Sequence, residues 1–269
     1  MTYKAFAIDL DGTLLVGEDI PPQNIEAVRR AHDAGVHVMI ATARWWQIAQ
    51  RIGDQMGIQD LVIACSGAQV RDMATGRDIW DHRLPADFTE DLFRICNEQR
   101  CIATVTFDED VRLKLDGEPD VSRMEQEMSW VRQLEVDEAN LPRIAAVQGS
   151  GCIRVIREEL EARYADRVNI FDSIGPTGKL IITITEKAAT KGNALGAACQ
   201  HLGIDRSQSV AFGDAENDLE MFRAAGAAVA MGQADDVTKA AATYVTLPNY
   251  EAGVAHAINR YLDHGSFQD

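Results

Sequence analysis

Asp9 and Asp11 stand on either side of a single leucine, at the end of the apolar run in "FAIDLDGTLL", residues 6–15. Asp-Gly between alternating hydrophobics is a strong tight-turn signal. Two carboxylates at a strand end could equally hold a cation and attack an electrophile. Two later apolar runs also stop on a polar residue, "VMIAT" at Thr42 and "SVAFGD" at Asp214. Asp218 lies four residues beyond Asp214, a like-charge spacing that repels by a few tenths of a kcal/mol unless a cation is near. The alternating acids, glycine and distal glutamate of an EF-hand loop are absent there. Lys191 opens the helical stretch "KGNALGAACQHLG", where the helix dipole disfavours a cation. With Gly192 beside it, that placement makes sense if both serve a bound phosphate.

Each residue also has a plain structural reading. Asp214 could cap a helix, Thr42 could sit in a strand-to-helix turn, and most lysines are simply solvated. Together they have a chemical logic. Phosphoryl transfer needs a nucleophile, a cation, and donors for the equatorial oxygens. Asp9 could attack and form an aspartyl-phosphate. Asp11 could protonate the leaving oxygen and then deprotonate a water. Asp9 and Asp214 suit Mg²⁺, which prefers one or two carboxylates plus phosphate. Thr42 supplies a hydroxyl and Lys191 a positive charge.

The elements that must position these residues alternate at both ends of the chain. "YKAFAIDL" precedes "PQNIEAVRRAHDAG", where Ile25, Val28, Ala31 and His32 fall at helical spacing and Gly35 marks a helix end. "VHVMIAT", a helix over 45–56 and "LVIAC" follow. "SVAFGD", "AAVAMG" and "YVTL" repeat the rhythm near the other end. Buried strands separated by helices predict an open, mostly parallel α/β sheet. In such sheets ligands bind beyond the carboxyl ends of the strands, so Asp9, Thr42 and Asp214 converge if their strands are neighbours. The middle differs. Adjacent strand candidates, "CIATVTF" with "VRLKLD" and "VNIFD" with "KLIITIT", are separated by Asp-Glu-Asp and Gly-Pro-Thr-Gly turns and flanked by helices such as "RVIREELEARYA". That pattern predicts an inserted antiparallel α+β domain.

At 269 residues the chain is long enough for one large or two moderate domains. No apolar run is long enough to span a membrane, and the N-terminus lacks the apolar stretch of a signal peptide. The five scattered cysteines include no C-x-x-C pair, so reduced thiols in a cytoplasmic protein without a zinc site are expected. A formal charge of −16 argues against a nucleic-acid partner.

"DLDGTLL" (9–15), "ATAR" (41–44), "TKGNAL" (190–195) and "GDAENDLEMF" (213–222), in that order, resemble the four motifs of the haloacid dehalogenase superfamily. Asp11 is the mark of its phosphatase branch. The insert between the second and third motifs, with "AVAMGQADDVTKAAATYVT", resembles the Cof-type capped sugar-phosphate phosphatases. The resemblance implies a Rossmann-like open parallel α/β core over 1–83 and 186–269. It implies an α+β cap over 84–185 that closes over the site, excludes water and chooses the substrate. It makes Asp9 the nucleophile and Asp11 the general acid/base. Mg²⁺ would be held by Asp9, Asp214 and the backbone carbonyl of Asp11. Thr42 and Lys191 would bind the phosphoryl group, Asn217 and Asp218 would support the metal waters and Lys191, and Gly12 would let backbone amides approach the phosphate. The expected partner is a small phosphorylated metabolite, with no nucleic acid and no membrane. A sugar-phosphate phosphotransferase or mutase and a non-catalytic phosphometabolite sensor are the competing readings. The chain departs from the family pattern at Ala43, in place of glycine, and at Ser66, in place of asparagine. Trp45 and Trp46 are also unusual, one expected in the core and the other narrowing the entrance.

Overall fold

The computed structural model describes residues 3–267 except 59, 116, 121, 123 and 175–177. Chain order gives β1 (Ala5–Ile8), α1 (Pro22–Asp33), β2 (His37–Ala41), α2 (Trp46–Met56), β3 (Leu61–Ala64), β4 (Gln69–Asp72) and β5 (Arg77–Asp81). The middle contributes α3 (Ala86–Glu98), β6 (Ile102–Thr106), β7 (Val111–Lys114), β8 (Met128–Val131), β9 (Ile144–Gln148), α4 (Ser150–Ile156), β10 (Val168–Ile174) and β11 (Leu180–Glu186). The return adds α5 (Lys191–His201), β12 (Ser209–Gly213), α6 (Leu219–Ala224), β13 (Ala227–Ala230), α7 (Asp236–Ala241), β14 (Tyr244–Val245) and α8 (Gly253–His264). Among the described residues no helix is long and apolar enough to cross a membrane.

The chain divides into two compact units, 1–80 with 190–269, and 81–189. The insert is therefore slightly wider than the expected 84–185, and its polar contacts explain why. Asp81 accepts from Arg143 Nε at 2.6 Å, Arg83 donates to Asn140 at 3.1 Å, and His82 meets Glu186 at 2.7 Å. These contacts fasten both ends of the insert to its own body.

The first unit is an eight-stranded sheet in the order β14-β13-β12-β1-β2-β3-β4-β5. The pairings from β14 through β3 are parallel, and β4 turns back antiparallel on β3. β1 is buried on both faces. Ala5 and Ala7 share a core with Ala194, Leu195 and Ala198 of α5, where small residues allow close approach. On the other face the Phe6 ring packs edge-on against Tyr261 of α8 at 5.8 Å. The buried positions of α1 are Asn24, Ala27, Val28 and Ala31, and the expected His32 is exposed. Asn24 takes the inward position because both ends of its amide are used, donating to the Leu14 carbonyl at 3.0 Å and accepting from the Ala255 amide at 3.0 Å.

The second unit is a six-stranded sheet in the order β10-β11-β9-β6-β7-β8, antiparallel except for the β7–β8 pair. Its core gathers Phe88, Leu92 and Phe93 of α3 with Ile153 and Ile156 of α4 and Ile182 and Ile184 of β11. The Gly-Pro-Thr-Gly turn expected between β10 and β11 falls on 175–178, of which 175–177 lie outside the described residues.

Candidate active site

The strands carrying Asp9, Thr42 and Asp214 are neighbours, β12-β1-β2. From β1 the chain winds outward through β2 and β3, then returns to lay β12 on the other side. That reversal is a topological switch point, where open α/β sheets form their ligand crevice. Asp9 N–H donates to the Phe212 carbonyl at 3.0 Å, and Thr42 N–H to the Ile63 carbonyl at 2.8 Å. Each polar residue is the first beyond its strand, and Asp9 and Thr42 are still held by the ladder.

Lys191, the first residue of α5, is buried and ties the centre together. Its Nζ lies 2.5 Å from Asp9 Oδ1 and 2.7 Å from Asp218 Oδ1. The helix is capped by Thr190, whose hydroxyl accepts from the Asn193 amide at 3.1 Å. The two carboxylates outweigh the unfavourable helix dipole at this position, and they keep the buried ammonium charged, raising its pKa despite desolvation. Packing also requires Gly192 to be bare: a Cβ there would lie 2.4 Å from the Glu220 carbonyl oxygen.

Asp218 is fully committed. Its Oδ2 accepts from the backbone amides of Asp214 and Ala215 at 3.0 and 3.2 Å, while Oδ1 holds Lys191. Gly213 permits this fold-back, since a Cβ there would meet Asp218 Cγ at 2.5 Å. Asp214 accepts from the Thr13 hydroxyl at 3.0 Å. Burial, then the neighbouring Asp218 carboxylate, push Asp214 up to about 6. Burial also raises Asp9 well above the carboxylate range, with Lys191 opposing and Asp218 and Asp214 adding to the rise.

Oxygens of Asp9, Asp214 and Asp218 lie within 4.8 Å of one another. With all three ionised, the carboxylates against one ammonium leave an excess of two negative charges that a divalent, oxygen-preferring cation would neutralise. The donor set therefore fits such an ion, with Asp9 and Asp214 as carboxylate ligands and Asp218 already occupied. Gly12 has φ +83°, and a Cβ on it would sit 2.3 Å from Asp214 Oδ2, so its bareness makes room for that carboxylate.

Asp11 stands apart from this centre. Its side chain is 52 % exposed and is gripped by Arg44, with Nε 3.0 Å from Oδ2 and a terminal nitrogen 2.5 Å from Oδ1. The same guanidinium reaches Glu18 at 2.8 Å, and the Arg44 amide donates to the Thr42 hydroxyl at 3.1 Å. Asn217 is half-buried in the 3-10 turn Glu216–Asp218, and no described hydrogen bond links it to the other candidates.

Sequence reading assigned no role to Thr13, Glu18, Arg44, Gln233 or Asn249. Gln233 donates to the Gly12 carbonyl at 2.5 Å and Asn249 to the Leu15 carbonyl at 2.8 Å, so both pin the turn after β1 from distant parts of the chain. No local spacing announces such contacts. Arg44 was visible inside "ATAR", but its partners were not.

The departures from the family pattern are resolved locally. Ala43 is not among the described non-glycine residues with positive φ, so its backbone does not require glycine. Cys65 and Ser66 have φ 52° and 55°. Their amides donate to the Arg44 and Thr42 carbonyls at 2.9 and 3.0 Å, so this strained turn braces the Thr42 loop. Trp45 and Trp46 are both half-buried, and neither is a core residue as expected of one of them. The Arg71 guanidinium lies 4.2 Å above the Trp46 ring.

A family model described as haloacid dehalogenase-like hydrolase matches residues 6–258. The Bacillus subtilis 5-amino-6-(5-phospho-D-ribitylamino)uracil phosphatase YwtE is 29% identical over 288 residues, covering 96% of this chain and 98% of the relative. A haloacid dehalogenase-like hydrolase from B. subtilis superposes with a TM-score of 0.80 at 26% identity, covering 95% of this chain and 99% of that one. A subclass IIB sugar phosphatase shares the fold with a TM-score of 0.77 at 23% identity, covering 96% and 98% of the two chains.

Proposed function

The chain belongs to the haloacid dehalogenase-like hydrolases and is a phosphatase of that family, and we propose that it hydrolyses a small sugar phosphate through an aspartyl-phosphate on Asp9. The observation that carries this reading is the buried Lys191 ammonium, 2.5 Å from Asp9 and 2.7 Å from Asp218, beside the crevice between β1 and β12.

A carboxylate oxygen of Asp9 attacks phosphorus while the ester P–O bond breaks. Asp11 gives its proton to the departing sugar oxygen. The Asp11 carboxylate then takes a proton from water, whose oxygen displaces Asp9 and releases inorganic phosphate. Lys191 and the Thr42 hydroxyl donate to the equatorial oxygens, and Gly12 keeps the turn open for backbone amides. Arg44 holds Asp11 in place between these two steps. Mg²⁺ is the ion that Asp9, Asp214 and the Asp11 carbonyl would hold, and it would supply charge neutralisation at the phosphoryl oxygens. Asp218 fixes Lys191 and the Asp214 backbone, and Asn217 stands beside it to support the metal waters.

The sugar-phosphate class is favoured by the names of the relatives, one specifying a phosphorylated ribityl group and one a sugar phosphatase. A screen for Mg²⁺-dependent phosphate release over sugar, nucleotide and cofactor phosphates tests the substrate class. Sugar phosphates are expected to turn over fastest. Asp9→Asn is expected to lose about a thousandfold or more in turnover. Wild-type turnover in that variant would overturn the mechanism.

A further inference from the structure

Cys96, Cys101 and Cys152 come from three separate segments of the inserted unit: the last turn of α3, the residue before β6, and the first turn of α4. Their sulfurs nevertheless lie within 4.8 Å of one another. They are 0, 6 and 0 % exposed, within the apolar core built from α3, α4, β9 and β11. Gly149 enables the approach: it has φ +135°, and a Cβ there would press on Cys101 Cα at 3.2 Å and Cβ at 3.3 Å. The Cys101 thiol donates to the Cys96 carbonyl at 3.4 Å. The neighbouring Cys101 and Cys152 thiols, with burial, push Cys96 well above the usual thiol range, and Cys101, with burial, pushes Cys152 up to about 12 against the opposing effect of Cys96.

Lys114 is buried on β7, and its ammonium lies 3.8 Å from Cys101 Sγ and 3.3 Å from the Gln99 carbonyl it donates to.

We propose that Cys96, Cys101 and Cys152 form a site for one thiophilic divalent ion of the zinc class, separate from the carboxylate site of the first unit. Zinc–sulfur bonds of about 2.3 Å place sulfurs about 4 Å apart, so the cluster need close by only about 1 Å. Binding breaks three S–H bonds and forms three metal–sulfur bonds. Three protons leave to solvent and no electrons move. The product, one divalent ion with three thiolates, carries a single negative charge, and Lys114 brings a positive charge against it. Cys101 also lines an open surface depression with Gln99, Gly149, Ser150 and Leu180, which gives an entry path and a face for a fourth ligand. Soft sulfur and hard oxygen donors select different ions, so the two sites would not compete.

The test uses the reduced, metal-free full chain with Mg²⁺ in excess to occupy the carboxylates. Zinc is added, free ion is removed, and bound zinc is counted by native mass spectrometry. One zinc per chain is expected in the wild type and in Asp214→Asn, with about three protons released per zinc in weak buffer. Cys152→Ala and Cys96→Ala are expected to bind at least tenfold more weakly, while Cys199→Ala, outside the insert, binds as the wild type does. No retained zinc, equal retention in Cys152→Ala, or loss in Asp214→Asn would each overturn the proposal. If the cysteine variants fail to fold, proton release in the wild type decides: none released on zinc addition overturns it.

Discussion

Lys191 shows how one residue sets the character of the site. Its ammonium is the only described partner that both Asp9 and Asp218 share, and all three are buried. Lys191→Met removes the cation and leaves two buried carboxylates facing each other. A loss of about 3–5 kcal/mol in urea-unfolding stability is expected, because breaking one side of a buried pair strands the other. Gly12→Ala combines a left-handed backbone with a collision at Asp214, so at least a tenfold fall in Mg²⁺-supported turnover is expected in steady-state assays. Ser66 poses the opposite case. It pays strain at φ 55° to brace the Thr42 loop, and asparagine tolerates that conformation better. Ser66→Asn is expected to raise unfolding stability by about 0.5–1 kcal/mol, read by thermal or urea unfolding.

At the scale of elements, the turn after β1 carries much of the chemistry and is held by amides from elsewhere. Asn24 of α1 takes the Leu14 carbonyl, Gln233 takes Gly12, and Asn249 takes Leu15. The Asn249 backbone N–H also donates to the Gln233 side-chain oxygen at 2.9 Å. Catalysis demands positioning to a fraction of an ångström. Asn249→Ala is therefore expected to lower kcat about tenfold with a smaller change in stability, which paired turnover and unfolding measurements would separate. Equal kcat in the variant would show that the turn is held without this latch.

For the whole molecule, the insert has its own core and its own polar fastening, and that fastening predicts a pH dependence. Burial alone would raise Asp81, but the guanidinium groups of Arg83 and Arg143 hold it below the ordinary carboxylate range. A carboxyl depressed in the folded state contributes stability above its unfolded value of about 3.9, and that contribution is lost as pH falls through the lower folded value. Wild type is expected to exceed Asp81→Asn in urea stability at pH 6, with the gap closing toward pH 3. A chain in which 81–189 are replaced by a short linker is expected to keep cleavage of a small generic phosphoester and to lose discrimination among larger ones. Retained discrimination would place specificity in the first unit.

Strand and helix rhythm, the parallel core, the inserted α+β unit and the polar residues that end each apolar run were all legible in the sequence. They depend on periodicity and on local turn chemistry, which neighbouring residues dictate. Asp9, Thr42 and Asp214 could be named because each follows a strand. Their convergence could not, since it depends on β12 returning beside β1 after the whole insert. The same limit hid the amides that pin the turn after β1, the grip of Arg44 on Asp11 and Glu18, and the buried Asn24 in place of His32. It also hid the three cysteines, which are scattered along the chain and adjacent only in the folded insert. Local sequence determined which elements form and where their polar ends fall. Only tertiary structure decided which of those ends meet, because contacts between residues far apart in the chain are set by strand order and packing and leave no spacing to read.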